Sequence, residues 1–185
     1  ELRYVARALS SGKKITFMAG ELVTRSTARE QIASALLNLS RLFQLQSKGQ
    51  IAVLARYANS VGAGRLGLVP NLSPEQSATL RAEWGALPTA AGLTTDQIFA
   101  QSAKGEITGL FVLGANPMQL YPDHTFVKTA LDKLEFLVVA DIFETETTAL
   151  ADVVLPLSTW AEYVGDYVNL EGKTQTARAA IRPIE

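Results

Sequence analysis

The chain has 185 residues, 17 basic and 18 acidic, with one His and no Cys. That length sets a prior of one domain, or one and a small part of another, with a core large enough to need no staples. The lack of Cys excludes a disulfide framework and thiolate metal sites, and argues against iron–sulfur clusters within this stretch. A net charge of −1 with no basic block argues against a dedicated nucleic-acid binder.

The best apolar runs, Gly109–Leu113 and Phe136–Ala140, fall far short of the roughly 18 residues a membrane span needs. No direct membrane insertion is expected. The chain opens at Glu1 rather than Met, which points to a processed chain or a piece of something longer. An apolar content of 48% suits a piece that packs against neighbours.

In chain order, Lys13–Ala19 reads as a buried strand. A helix is predicted from Ser26 to Gln44, where Ile32, Leu36, Leu39 and Phe43 form one apolar stripe. Thr27 and Glu30 fit a capping box at its start. Ile51–Ala55 is a second strand, and Arg56–Leu72 reads as a long loop rich in Gly and Asn. Ser73, Pro74 and Gln76 open a helix to about Trp84, and Thr94 with Gln97 opens another to about Lys104. Ile107–Leu113 is the third strand, followed by the turn Gly114–Pro117. Asp123 caps a helix from His124 to about Lys133. Glu135–Ala140 is the fourth strand, Thr145–Ala151 a short helix, and Asp152–Leu157 the fifth strand. Tyr163–Glu185 reads as an extended, loosely tied tail.

Strands that alternate with helices and are continuously apolar imply a parallel sheet covered on both faces. The expected fold is α/β, a Rossmann-like three-layer domain with a mostly parallel sheet over residues 1–157. An extended segment, 158–185, would lead toward a further domain. In such sheets ligands sit beyond the carboxyl ends of the strands, so the turns holding Asn116 and Asp141 should face each other there.

Three stretches invite chemistry. Gly62, Gly64 and Gly67 match the G-x-G-x-x-G pattern, but Pro70 and Pro74 follow, so no helix opens where a pyrophosphate would need one. The turn Gly114-Ala115-Asn116-Pro117 reads either as a plain strand-to-helix turn or as a ligand contact. The first residue allows close approach, and Pro117 pushes Asn116 out of helical geometry. The stretch from Asp141 to Thr147 ends a strand with three acids. Asp141 can accept from a base or sugar edge, or cap the next helix with Glu144. His124, beside Asp123, reads as a helix-end residue, since no G-x-S-x-G elbow accompanies it. Glu171-Gly172-Lys173 suggests no mechanism of its own.

These residues carry a family resemblance. Phe111–Pro117 resembles the GxNP turn of the molybdopterin oxidoreductase superfamily. Asp141–Thr147 followed by Leu150–Pro156 resembles its D-x-F-x-T-E-T … A-D-V-V-L-P block. Glu162, Gly165, Asn169 and Glu171-Gly172 match the stretch after that block. Within the superfamily the chain is most similar to the C-terminal region of the G subunits of the bacterial NADH-quinone oxidoreductases, respiratory complex I. Arg56–Ala63, running on to Gly67 and Pro70, adds to that likeness.

The resemblance implies a structural scaffold domain with no catalytic residue of its own and no cofactor or metal in this fragment. Iron–sulfur clusters would lie elsewhere in the parent chain. Its partners would be the rest of that chain and neighbouring subunits of the peripheral arm. It would be cytoplasmic, associated peripherally with the inner membrane through the complex. The alternative is the domain of a molybdenum oxidoreductase, such as a formate dehydrogenase or nitrate reductase, that binds molybdopterin guanine dinucleotide. Gly114, Asn116, Pro117, Asp141, Glu146 and Thr147 would then contact the cofactor. Lys173 stands where Arg is usual, and Lys cannot give the planar bidentate contact to a phosphate.

Overall fold

The computed structural model describes residues 1–12, 14–20, 23, 26–44 and 49–183. The chain divides into two compact units. The first holds Glu1–Arg65 with Asp166–Gln175; the second holds Leu66–Gly165 with the chain from Thr176 onward.

In the first unit, α1 (Leu2–Ser11) precedes β1 (Ile15–Ala19), α2 (Arg29–Leu42) and β2 (Gly49–Val53). The strands β1 and β2 run parallel, in register from Ile15 opposite Gly49 to Ala19 opposite Val53. A helix between two parallel strands is the crossover that parallel pairing requires. Lys13, expected to begin β1, lies outside the described residues. The expected stripe Ile32, Leu36, Leu39 and Phe43 is the half-buried side of α2 and its end, and the Phe17 and Phe43 rings sit 6.0 Å apart.

Three expectations are corrected by the structure. The capping box of Thr27 and Glu30 does not form: Ala28 is the N-cap and has no side-chain cap. The Ser26 hydroxyl accepts from the Ala28 N–H at 3.1 Å, a local turn that competes with helix initiation and delays it. The amphipathic α1, with Leu2, Val5 and Leu9 at helical spacing, was not anticipated; none of its residues is buried. The expected loop Arg56–Leu72 is interrupted by α3 (Ser60–Arg65).

The second unit begins with α4 (Pro74–Trp84) and α5 (Thr95–Ala103). Both open on the capping boxes expected from spacing: Ser73 with Gln76, and Thr94 with Gln97. Then come β3 (Gly109–Leu113), α6 (Pro117–Leu120), α7 (His124–Asp132) and β4 (Phe136–Asp141). A 3-10 turn (Thr148–Leu150) and β5 (Val153–Pro156) complete the series. Asp123 caps α7, accepting from the Phe126 N–H at 2.9 Å.

The strands β3, β4 and β5 form a parallel sheet in that order. The α/β class with parallel strands is therefore as expected. The strands belong to two separate sheets, however, and β3 lies at the edge of its sheet rather than inside one continuous sheet.

The sheet of the second unit is also covered unequally. Leu137 and Val139 with Val112 face Phe99 of α5 and Val127, Ala130 and Leu131 of α7, and together they form the core. The Tyr121 ring meets Phe99 edge-on at 5.1 Å. Residues opposite each other in parallel register share a face, so Phe111 and Val153 flank Val138 on the other side. There Phe111 is 56% exposed and Leu113 63%. Burial thus alternates along β3, where burial on both faces was expected.

The C-terminal stretch is extended, as expected, but it also pairs. Strands β6 (Gly165–Val168) and β7 (Thr174–Ala177) form a two-stranded sheet. The short connection between them excludes a parallel crossover, so they form a hairpin.

The two faces of the sheet should respond differently to truncation. Leu137→Ala is expected to cost about 2–5 kcal/mol in urea unfolding, and Phe111→Ala less than about 1 kcal/mol. Equal losses would contradict the one-sided core.

Candidate functional site

Strands β3 and β4 are parallel, so their carboxyl ends emerge on the same side, and the loops after them must lie side by side. The Gly114 N–H donates to the Ala140 carbonyl at 2.8 Å, which extends the pairing into the turn. Gly114 has φ +60°, a left-handed conformation that L side chains adopt only with strain. A Cβ there would meet nothing within 4 Å. The left-handed φ requires glycine for the turn itself.

Asn116 follows at φ −114°, the N-cap of α6, with the buried Pro117 as first helical residue. Its side chain does not cap α6 but crosses to the loop after β4. The Asn116 Nδ2 donates to Glu146 Oε2 at 2.8 Å, and Thr147 Oγ1 donates to Asn116 Oδ1 at 2.7 Å. The Thr147 hydroxyl, fully buried, also accepts from the Met118 N–H at 3.3 Å. One hydroxyl thus joins the first turn of α6 to the β4 loop.

Asp141 closes a different, local turn. Its Oδ1 accepts from the Ile142 N–H at 2.7 Å and from the Phe143 N–H at 3.4 Å. The next helical turn is opened by Thr145 and Thr148 instead of Asp141 and Glu144. The Thr145 N–H donates to Thr148 Oγ1 at 2.7 Å, and the Thr148 N–H donates to Thr145 Oγ1 at 3.2 Å.

Asn116, Gln119, Phe143, Glu144, Glu146 and Val154 line an open cleft of about 710 Å³ between the turns. Of the six residues singled out in the sequence, Asn116 and Glu146 line it. Thr147 is buried beside it and orients Asn116. Gly114, Pro117 and Asp141 shape the turns without lining the cleft. Sequence reasoning did not single out Thr145 and Thr148, although their spacing of three is the usual capping signal. It also missed Asp152, whose Oδ2 accepts from the Leu137 N–H at 2.7 Å and fixes the entry of β5.

Gly62 and Gly64 lie within α3. No helix opens from the glycine motif, and no phosphate cradle forms there.

The electrostatics of the cleft centre on Glu146. The amide of Asn116 holds its carboxyl below the ordinary value of 4.5, aided by a backbone N–H and by the charge of His124, with desolvation opposing. A carboxylate lowered in this way keeps its contact above its unfolded pKa and loses it as pH falls through the folded value. The Asn116 side-chain amide resonances are therefore expected to titrate with a midpoint below 4.5 in NMR. A midpoint at or above 4.5 would contradict the contact.

Known proteins resemble this chain along nearly its whole length. The molybdopterin oxidoreductase family matches residues 3–184. A G subunit (number 2) of the NADH-quinone oxidoreductase of Rhizobium meliloti (strain 1021) is 34% identical over 185 residues, covering 95% of this chain and 22% of the relative. The F420-dependent formate dehydrogenase subunit alpha of Methanocaldococcus jannaschii is 38% identical over 170 residues, covering 87% of this chain and 25% of the relative. Formate dehydrogenase H of Escherichia coli (strain K12) is 27% identical over 195 residues, covering 99% and 27%. The chain thus spans about a quarter of the length of the curated relatives it matches. By the match over nearly its whole length, this chain belongs to the molybdopterin oxidoreductase family.

Proposed function

We propose that this chain is a scaffold domain of the electron-input subunit of complex I, of the NADH-quinone oxidoreductase G type, without an active site of its own. The observation that carries this reading is the closed set of bonds among Asn116, Glu146 and Thr147. In a working nucleotide site, polar groups at the strand ends must be available to the ligand. Here the Asn116 amide already gives one N–H to Glu146 and accepts one bond from Thr147.

The family implies a guanine-dinucleotide arm of a pterin cofactor, and the residues present fit it poorly. The cleft is lined by the carboxylates of Glu144 and Glu146, with no Lys or Arg among its lining residues. A carboxylate can accept from the N–H edge of a guanine, but it repels a diphosphate. Lys173, at the position where the family usually has Arg, pairs with Glu171 at 2.7 Å in an exposed setting. No step through the cofactor is derived for this chain.

On this reading the iron–sulfur clusters belong to other parts of the parent chain. The domain packs against that chain and against neighbouring subunits of the peripheral arm, on the cytoplasmic side of the inner membrane. No helix among the described residues is long and apolar enough to cross a membrane. The exposed sheet face around Phe111 and Leu113 supports packing against a neighbour. The rival reading, a cofactor-binding domain of a molybdenum oxidoreductase, is favoured by the 38% identity to a formate dehydrogenase subunit.

Titration calorimetry with GMP and GDP separates the two. The scaffold reading expects a Kd weaker than about 1 mM, roughly −4 kcal/mol. Micromolar binding that is lost in Asn116→Ala and Asp141→Ala would overturn it in favour of the molybdenum-enzyme reading.

A further inference from the structure

The glycine-rich stretch and the Glu-Gly-Lys turn, which the proposed function leaves unused, meet in the first unit. Asn59, just ahead of α3, uses its amide as a strand would use its backbone. Its Nδ2 donates to the Asp166 carbonyl at 3.0 Å, and its Oδ1 accepts from the Val168 N–H at 2.9 Å. Residues 166 and 168 are alternate positions on one edge of β6, the pair of groups a neighbouring strand would engage. Gly62, one turn further on, has no room for a side chain, because a Cβ there would overlap the Asn59 amide. Arg65 adds a second hold, donating from Nη1 to the Gly172 carbonyl at 2.9 Å.

Among the described residues β6 pairs with β7 alone. The hairpin turn is closed internally: the Asn169 N–H donates to the Lys173 carbonyl at 3.0 Å, and the Lys173 N–H donates to Asn169 Oδ1 at 2.9 Å. It can keep its own shape when released. Val168, Asn169 and Leu170 meanwhile close one side of a cavity of about 350 Å³ just beyond the carboxyl end of β2, opposite Leu54, Tyr57 and Val61.

We infer that the β6–β7 hairpin is a strap over this cavity, latched by Asn59 and Arg65, and that it opens as a unit while the rest of the chain stays folded. The hairpin has its own backbone ladder, but Asn59 and Arg65 hold it to the α3 region by side-chain bonds, and an attachment of that kind belongs to the low-stability end of a fold. One glycine of the motif serves this latch: Gly62 makes space for Asn59, and α3 spaces Asn59 and Arg65 to reach β6 and the turn.

Residue-resolved hydrogen exchange on the 185-residue chain tests the latch. Arg65→Met removes the hold at Gly172 and keeps the apolar stem. If the strap opens as a unit, the Val168 amide, bonded to Asn59 at the other end, also exchanges faster. The expected rise is on the order of tenfold, the effect of one hydrogen bond. Amides of α7 and β4 should stay within about twofold. Gly62→Ala, which displaces the Asn59 amide, should likewise speed exchange at Val168, while Gly172 and Lys173, bonded within the turn to Asn169, stay protected. A Val168 rate unchanged in Arg65→Met would overturn the strap, as would a rise shared by α7 and β4.

Discussion

The Thr147 hydroxyl holds together the carboxyl edge of the second unit's sheet. It donates to Asn116 and accepts from the Met118 N–H, while the other end of the Asn116 amide reaches Glu146. Burial makes this contact costly to lose. Thr147 is fully buried, and an unpartnered hydroxyl or amide in that position would forfeit its solvation without compensation. The parallel register of β3 with β4 delivers the two loops to the same side. The hydroxyl then decides how they face each other.

That arrangement supports the proposed scaffold reading, in which an edge built like a ligand site holds none. The strand ends, the left-handed Gly114 and the Asn-Pro turn are features of a Rossmann-like crevice. Asn116 bonds to Glu146 and Thr147, and the cleft beside them carries the two carboxylates Glu144 and Glu146. The one-sided core fits the same picture. Phe99, Val127 and Leu131 cover one side of the sheet, and the side carrying Phe111 and Leu113 is apolar and open. A parallel sheet is ordinarily covered on both faces, so this one is suited to packing within a larger assembly.

Much of this was legible in local spacing. Ser73 with Gln76 and Thr94 with Gln97 announce their helices because a cap needs only residues three apart. Asn116 stood out because Pro117 restricts it. The hidden part depends on partners distant in sequence. Thr147 meets Asn116 across 31 positions, and Asn59 meets Asp166 across 107. The two glycines of α3 argued for a loop on propensity, and only the Asn59 amide docked on the hairpin shows what Gly62 is for. The Thr27–Glu30 box failed for the opposite reason: Ser26, one residue earlier, offered a nearer partner to the backbone. The exposed face of β3 could not be read from composition, since a strand buried on one side can be as apolar as one buried on both.

The hydrogen bond between Asn116 and Thr147 ties the two turns together beside the open cleft, and a double-mutant cycle measures it most directly. Asn116→Ala, Thr147→Val and the double variant would be compared in denaturant unfolding. The expected coupling energy is about 0.5–3 kcal/mol, with the double variant less destabilised than the sum of the single ones. Losses that add to within about 0.3 kcal/mol would mean that the two side chains do not depend on each other, and would contradict the account.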